Sequence, residues 1–161
     1  MTVKDDLDQF LAERVSLPAL PLDELDLTDT GNAQRFVELA EGTVRYVHGW
    51  GSWTVYEDGR WIIDVKDALV TETAKVVARS LLAMVPRIED KDDRQRVFVA
   101  AQRAESDSAI RHMIHLARAI PGVIVAHEEL DAEPDILNVL NGTVELRTGE
   151  LLRASDSFGL L

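Results

Sequence analysis

Apolar positions change their spacing several times along this chain of 161 residues, and each change predicts a different kind of element. Over residues 5–15 apolar side chains recur at helical spacing among acids, which predicts a short amphipathic helix. Residues 17–27 contain two prolines and are typical of a linker or an extended strap. A second helix is predicted to run to Leu39 from Thr28 or Asp29, since either side chain can cap its first turn.

The period shortens to two over residues 44–64, where three short runs of apolar and polar residues alternate. The last two runs are separated by Asp58-Gly59, a strong signal for a tight hairpin. We therefore predict a three-stranded antiparallel meander there. An Asn-Gly dipeptide between two apolar runs gives the same signal near the C-terminus and predicts a β-hairpin over residues 136–147.

Helical spacing dominates the middle of the chain and predicts helices over residues 66–84, 93–103 and 107–119. Pro86 ends the first of them, because proline has no N–H to donate and disfavours helical geometry at the residue before it. The third helix carries a core stripe at positions i, i+3, i+4 and i+7, formed by Ile110, Met113, Ile114 and Ala117. The predicted fold class is α+β, with about five helices in all and a helical middle between the small meander and the C-terminal hairpin.

Length and amino-acid composition limit the classes of protein to which the chain can belong. A chain of this length with 46% hydrophobic residues is the size of one domain and can bury its own core. The sequence has no cysteine, which excludes disulfides, thiolate metal sites and a cysteine nucleophile and points to the cytoplasm. Neither a signal peptide nor a membrane span is predicted.

Charge is distributed unevenly along the chain, whose net charge is −12. Residues 1–42 hold ten acids and three bases, for a net −7, and residues 119–161 hold eight acids and two bases, for a net −6. Residues 43–118 hold eleven acids and twelve bases, for a net +1. Because nucleic acid repels an acidic surface, any electropositive face must come from this middle segment.

Known catalytic motifs are missing or incomplete. No lysine follows a glycine, which excludes a Walker-type ATP site. His127-Glu128-Glu129-Leu130-Asp131 departs from the zinc motif H-E-x-x-H only in its last residue, but the prolines on both sides leave room for one or two helical turns. A surface loop is therefore favoured over a zinc site.

Two further groups of polar residues have both a structural and a metal-binding interpretation. His112 and His115 lie three residues apart on a predicted helix, and solvent-facing histidines are favoured over a shared ligand. Asp90, Asp92 and Asp93 have the oxygen ligands that Mg²⁺ prefers, but carboxylates are also favoured at a helix N-terminus. Capping is the preferred interpretation.

Basic residues on two helices are candidates for nucleic-acid binding. Arg111, His115 and Arg118 are spaced i, i+4 and i+7, and Arg96 and Arg103 lie seven residues apart on the preceding helix. Such rows can follow a line of phosphates. The alternative, which we weight more heavily, is a solvated helix face with local ion pairs.

Five aromatic residues crowd into sixteen positions: Tyr46, Trp50, Trp53, Tyr56 and Trp61. Aromatic side chains on a sheet can stack unpaired bases. In a small meander they more often form the core of the sheet itself, and this is the favoured interpretation for Trp53 and Trp61. Trp50 lies between two glycines and is the one expected to be exposed and available to nucleic acid.

Two separated stretches of the sequence resemble one known family. Residues 27–36, 44–53 and 59–61 are similar to the opening of the domain that precedes the superfamily 3 helicase motor in phage and plasmid primases, related to the poxvirus primase-helicase. Residues 130–134 and 137–151 are similar to the C-terminal part of the same domain. Within this C-terminal part, Asp135 and Glu145 depart from the family pattern.

The resemblance implies a division into an N-terminal helix and linker (residues 1–24), the family domain (25–151) and a tail toward a motor (152–161). It implies a non-catalytic accessory role in phage or plasmid DNA replication, in the cytoplasm of a bacterial host. ATP and Mg²⁺ would bind in a motor beyond Leu161, and the primase active site would lie before Met1. The implied partners are this motor, hexameric in the full-length protein, together with DNA and other replication proteins.

The second hypothesis is an acidic module for protein interaction or oligomerisation, because both ends of the chain are strongly negative. No catalytic, cofactor-binding or metal-ligating residue is predicted within the 161 residues. An independent enzyme activity is disfavoured by the missing motifs.

Overall fold

The computed structural model describes residues 26–40, 42–57, 60–129, 135–139 and 142–152. Four α-helices occur in these residues: α1 (Asp29–Ala40), α2 (Ala68–Met84), α3 (Lys91–Ala104) and α4 (Asp107–Ala117). The strands there are β1 (Val44–Val47), β2 (Ser52–Glu57), β3 (Arg60–Ile63), β4 (Ile124–Val125), β5 (Ile136–Val139), β6 (Gly142–Glu145) and β7 (Leu151–Leu152).

The α+β class is confirmed, with helices in the middle and small sheets on either side of them. The amphipathic helix predicted over residues 5–15 lies outside the described residues, as do nearly all of the predicted linker (residues 17–27) and of the predicted tail (152–161).

Residues that precede α1 form hydrogen bonds at its N-terminal end. The backbone N–H of Gly31 donates to Thr28 Oγ1 at 3.1 Å, which confirms Thr28 as the cap. The buried guanidinium of Arg35 donates to the carbonyl of Asp26 and to Asn32 Oδ1. A Cβ atom at Gly31 would lie 2.2 Å from that same carbonyl of Asp26, so this close approach requires glycine.

The larger sheet has the strand order β3-β2-β1-β4. Its first three strands form the predicted antiparallel meander, with Tyr46 opposite Trp53 and Tyr56 opposite Trp61. The parallel strand β4 was not predicted, because two residues are too short for an alternating pattern to show. The backbone N–H of Tyr46 also donates to the carbonyl of Val123 at 2.8 Å, so the chain leaving α4 returns along β1.

One hydrophobic core joins the helices to the inner face of this sheet. α1 packs against α4, and α2 packs against each of the other three helices. The predicted core stripe of α4 is confirmed, because all four of its residues are buried. The largest side chains that lie fully inside this core are Trp53, Phe36, Leu81, Met113, Val70, Val77 and Val97.

Trp53 and Trp61 lie on opposite faces of the sheet. Trp53 is 0% exposed and packs edge-on against Phe36 and Tyr46, with ring centroids 5.8 and 5.4 Å away. Trp61 lies opposite Tyr56, and Tyr56 lies three residues after Trp53 along β2. Side chains an odd number of residues apart on one strand point to opposite faces of the sheet. The core role predicted for Trp53 is confirmed, whereas Trp61 packs half-buried against Tyr56 outside the main core.

The turn before α2 delays the start of that helix. Lys66 and Asp67 both have positive φ, at 62° and 56°, so the helix begins at Ala68 and not at Lys66 as predicted. Left-handed geometry is costly for residues other than glycine and persists only where neighbouring contacts hold it. The buried carboxylate of Asp64 supplies such contacts, because it accepts from the N–H groups of Leu69 and Val70 at 3.0 and 2.9 Å.

Helix α2 ends at Met84 as predicted, and Pro86 lies in the short 3₁₀ turn that follows. Asp90 then caps α3, since its Oδ1 accepts from the N–H groups of Asp92 and Asp93, both at 2.9 Å. The capping interpretation is therefore confirmed for Asp90. None of the helices in the described part of the chain is long and apolar enough to cross a membrane.

The C-terminal hairpin is confirmed as β5 and β6, and β7 pairs with β6 to add a third strand. The register places Leu137 opposite Val144 and Val144 opposite Leu151, so these three residues form an apolar row across the small sheet. Leu137 and Leu151 are exposed.

We expect Asp64→Ala to lower the free energy of unfolding by about 2 kcal/mol, because the buried N–H of Val70 and the half-buried N–H of Leu69 lose a charged acceptor. Urea denaturation with an unchanged m-value would measure this loss. The matched control is Asp90→Ala, which removes an exposed cap and should cost about 1 kcal/mol. Equal losses in the two variants would contradict the special role of the buried cap.

Trp53→Ala should destabilise the protein by about 3–5 kcal/mol, since it empties the contact between the sheet and α1. Trp50→Ala should change stability by no more than about 0.5 kcal/mol, because that side chain is half exposed. Thermal and urea unfolding of the two variants would check this contrast, and a larger loss for Trp50→Ala would refute the placement of the core.

Candidate nucleic-acid interface

Helix α3 carries Arg96 and Arg103, and both side chains are exposed. Arg96 forms an ion pair with Asp93 one turn earlier, at 3.2 Å. No acid occurs from residue 94 to residue 104. Over this stretch the exposed side chains of α3 are Arg94, Gln95, Arg96, Val99, Gln102 and Arg103.

The other three candidate residues lie on α4 or directly after its last residue, and they differ in their contacts. Arg111 is exposed and pairs with Asp107 one turn earlier on the same helix. His115 is exposed near the C-terminal end of the helix. The local ion pairs of Arg96 and Arg111 are those that the solvated-face alternative expects, and the assignment of these residues to nucleic acid remains a prediction.

Arg118 contacts residues from other parts of the fold. Its guanidinium lies 3.2 Å from the carboxylate of Asp67 and 4.9 Å from the ring centroid of Tyr46. Its side chain is 32% exposed, and its Nε is buried without a partner within the described part of the chain. Arg118 thus connects the end of α4 to the left-handed turn before α2 and to β1.

The histidines of α4 face solvent, as expected. His112 Nδ1 lies 3.2 Å from a carboxylate oxygen of Asp29, so it links α4 to the first turn of α1. Across the described residues, no group of three or more histidine or acidic side chains is arranged to hold a metal ion.

Trp50 lies in a 3₁₀ turn (His48–Trp50) between β1 and β2 and is 49% exposed, in line with its predicted exposure. A second 3₁₀ turn (His127–Glu129) packs beside it. This second turn contains the start of the near-match to the zinc motif. It is exposed and only three residues long, as the surface-loop interpretation expects, and Asp131 lies outside the described residues.

Arg45 was not predicted from the sequence as a residue of the site. Its guanidinium lies over the ring of Trp61, 4.5 Å from the centroid, on the face of the sheet opposite Trp53. Burial lowers the pKa of Arg45, and the charge of Glu129 acts in the opposite direction. The signal was available, because the alternation along all three strands of the meander, with both of its turns, places positions 45 and 61 on one face.

Comparisons with known proteins give one result that bears on function. Residues 33–158 match the family described as D5 N-terminal-like, which covers most of the chain. Neither the comparison with curated proteins nor that with solved structures finds a match. The chain therefore belongs to the D5 N-terminal-like family, the N-terminal domain family of phage, plasmid and poxvirus primase-helicases.

Proposed function

We propose that this chain is a non-catalytic accessory domain of a phage or plasmid replicative primase-helicase, which positions the ring motor and guides DNA along α3. Family membership supports the link to primase-helicases. The observation that carries the DNA part is the exposed row on α3, which is free of acids in a protein of net charge −12. ATP and Mg²⁺ belong to the motor in this proposal.

The geometry of α3 suits a line of phosphates. Arg96, Val99 and Arg103 fall within one face of the helix, and seven residues separate the two arginines, a rise of about 10 Å along the axis. Gln95 and Gln102 flank this row with neutral hydrogen-bonding groups. Each arginine that neutralises a phosphate releases counterions and so strengthens binding at low salt.

The acids around α3 limit where DNA can lie. Asp92 and Asp93 occupy the first turn, and Glu105 follows the last residue of the helix. These carboxylates repel phosphates at both ends, which leaves the central turns as the contact. Asp93 also engages Arg96, so DNA must displace or share an exposed ion pair, which costs little because such pairs contribute about 0–1 kcal/mol.

Helix α4 is a weaker candidate for the same role. Arg111 and Asp107 are adjacent and cancel each other in charge, and Arg118 is engaged by Asp67 and Tyr46. Using Arg118 for DNA would give up contacts that join three parts of the fold. We therefore place the principal DNA contact on α3, with His115 and Arg111 as secondary contributors.

An acidic interaction module is the second candidate function, and the charge distribution favours it. The strongly negative ends of the chain suit basic partners such as other replication proteins or neighbouring subunits of a hexameric ring. Size-exclusion chromatography with and without the motor segment distinguishes the two functions, because assembly by this chain alone would favour the module.

The test of the DNA contact is fluorescence anisotropy with a labelled single strand at low salt. We expect Arg96→Gln/Arg103→Gln to weaken binding at least tenfold and to reduce the slope of log K against log salt by about 1.4, since each phosphate contact on a single strand contributes about 0.7.

The matched control is Arg60→Gln/Arg147→Gln, which removes the same charge from exposed arginines that lie on neither α3 nor α4. It should retain binding to within about twofold, because neither arginine belongs to the proposed face. If the two double variants lost affinity equally, net charge and not α3 would govern binding. If neither lost affinity, the DNA face would be wrong.

A further inference from the structure

The exposed face of α3 carries two parallel rows of long polar side chains. Gln95 and Gln102 form one row, and Arg96 and Arg103 form the other. The two residues of each row lie seven positions apart, almost two helical turns, so each row runs along the helix axis. Val99 lies between the rows and is 53% exposed.

Val99 marks the side of α3 that points away from the protein. The buried residues of this helix are Val97, Ala101 and Ala104. With 3.6 residues per turn, Val99 lies opposite their mean direction, and the two rows flank it at similar angles on either side. Among the helices, α3 packs chiefly against α2, so its opposite side remains open within the described part of the chain.

The charge of this face is positive. Arg96 shares its charge with Asp93, but Arg103 forms no ion pair within the residues that the structure describes. No acid occurs from residue 94 to residue 104, although the chain as a whole has a net charge of −12. The face is therefore complementary in charge to a polyanion.

The glutamines and Val99 have a chemistry that attraction to phosphates does not use. A glutamine amide presents a donor and an acceptor together and can pair with N6 and N7 of adenine, whereas an apolar side chain contacts the methyl group of thymine. Duplex DNA displays these groups in its major groove, which is about 12 Å wide and admits an α-helix.

The spacing along α3 also fits a duplex. Gln95 and Gln102 lie about 10 Å apart along the helix axis, and base pairs lie about 3.4 Å apart. A helix that lies along the groove thus places the two amides about three base pairs apart. The acids Asp92, Asp93 and Glu105 at the ends of α3 limit the contact to about this length.

We propose that α3 reads base edges of duplex DNA in the major groove, with its two glutamines on adenines and Val99 against a thymine methyl group. Arg96 and Arg103 hold phosphates of one strand beside them. This inference rests on the proposed function, because it names the class of DNA that α3 contacts. Phosphate contacts position a protein on DNA and base contacts select the sequence, so the two rows have different roles.

The test selects duplexes with a randomised centre on the purified chain. Fluorescence anisotropy then compares the selected duplex with a scrambled duplex and with the selected sequence as a single strand. The parent should prefer the selected duplex to the scrambled one by about tenfold or more, and selected sequences should share adenines about three base pairs apart.

Gln102→Ala should reduce this preference by about fivefold or more, because a bidentate base contact is lost. It should leave the slope of log K against log salt unchanged, since glutamine carries no charge. Alanine is a strong helix former, so α3 should be retained. The matched control is Gln34→Ala, which removes an exposed glutamine from α1 and should keep the preference of the parent.

Base reading by α3 would be wrong if no sequence were enriched, or if Gln102→Ala and Gln34→Ala discriminated equally well. The proposed function would still stand in that case, provided that Arg96→Gln/Arg103→Gln weakened binding to the single strand. If the double arginine variant bound every probe as tightly as the parent, both proposals would fall.

Discussion

A continuous series of contacts runs from α1 to the turn before α2 and passes through the sheet. Phe36 of α1 packs against Trp53, Trp53 packs against Tyr46, and the guanidinium of Arg118 lies over the Tyr46 ring. The Arg118 guanidinium then meets the carboxylate of Asp67. These residues come from helix α1, from two strands, from the residue that follows α4 and from the left-handed turn before α2, so this series of contacts fixes how the helices pack on the sheet.

The same series explains why Arg118 differs from the other basic residues. Its spacing from Arg111 and His115 on the helix is that of a single exposed row, but the helix ends at Ala117 and the chain turns back toward β4. That turn brings Arg118 over Tyr46. Helical periodicity describes residues only as far as the helix continues, so the sequence alone could not separate this structural arginine from solvent-facing ones.

Local patterns were enough to predict most of the fold. Asp58-Gly59 and the apolar alternation on either side of it predicted the meander, and the spacing of Ile110, Met113 and Ile114 predicted the buried face of α4. Long-range features were missed because nothing nearby in the sequence marks them. The parallel pairing of β4 with β1, the third strand β7 and the left-handed turn at Lys66 all depend on tertiary contacts. The candidate site was predicted as a set of residue types, and only the structure shows which of them are engaged by neighbours.

One exposed surface stands out on this acidic chain. Helix α3 exposes arginine, glutamine and valine without a carboxylate in its central turns. Such a surface is chemically suited to phosphates. Membership of a primase-helicase family gives the setting in which the proposed contact would act.

We propose that this chain contributes binding and positioning, while another segment performs the chemistry. The most direct measurement compares ATP hydrolysis and strand unwinding by the primase-helicase with and without this domain, alongside ATP hydrolysis by the chain alone. We expect no hydrolysis by the chain alone, and we expect deletion of the domain to retain hydrolysis but to reduce unwinding strongly. ATP turnover by the isolated chain, or full unwinding without it, would show that the division of roles is wrong.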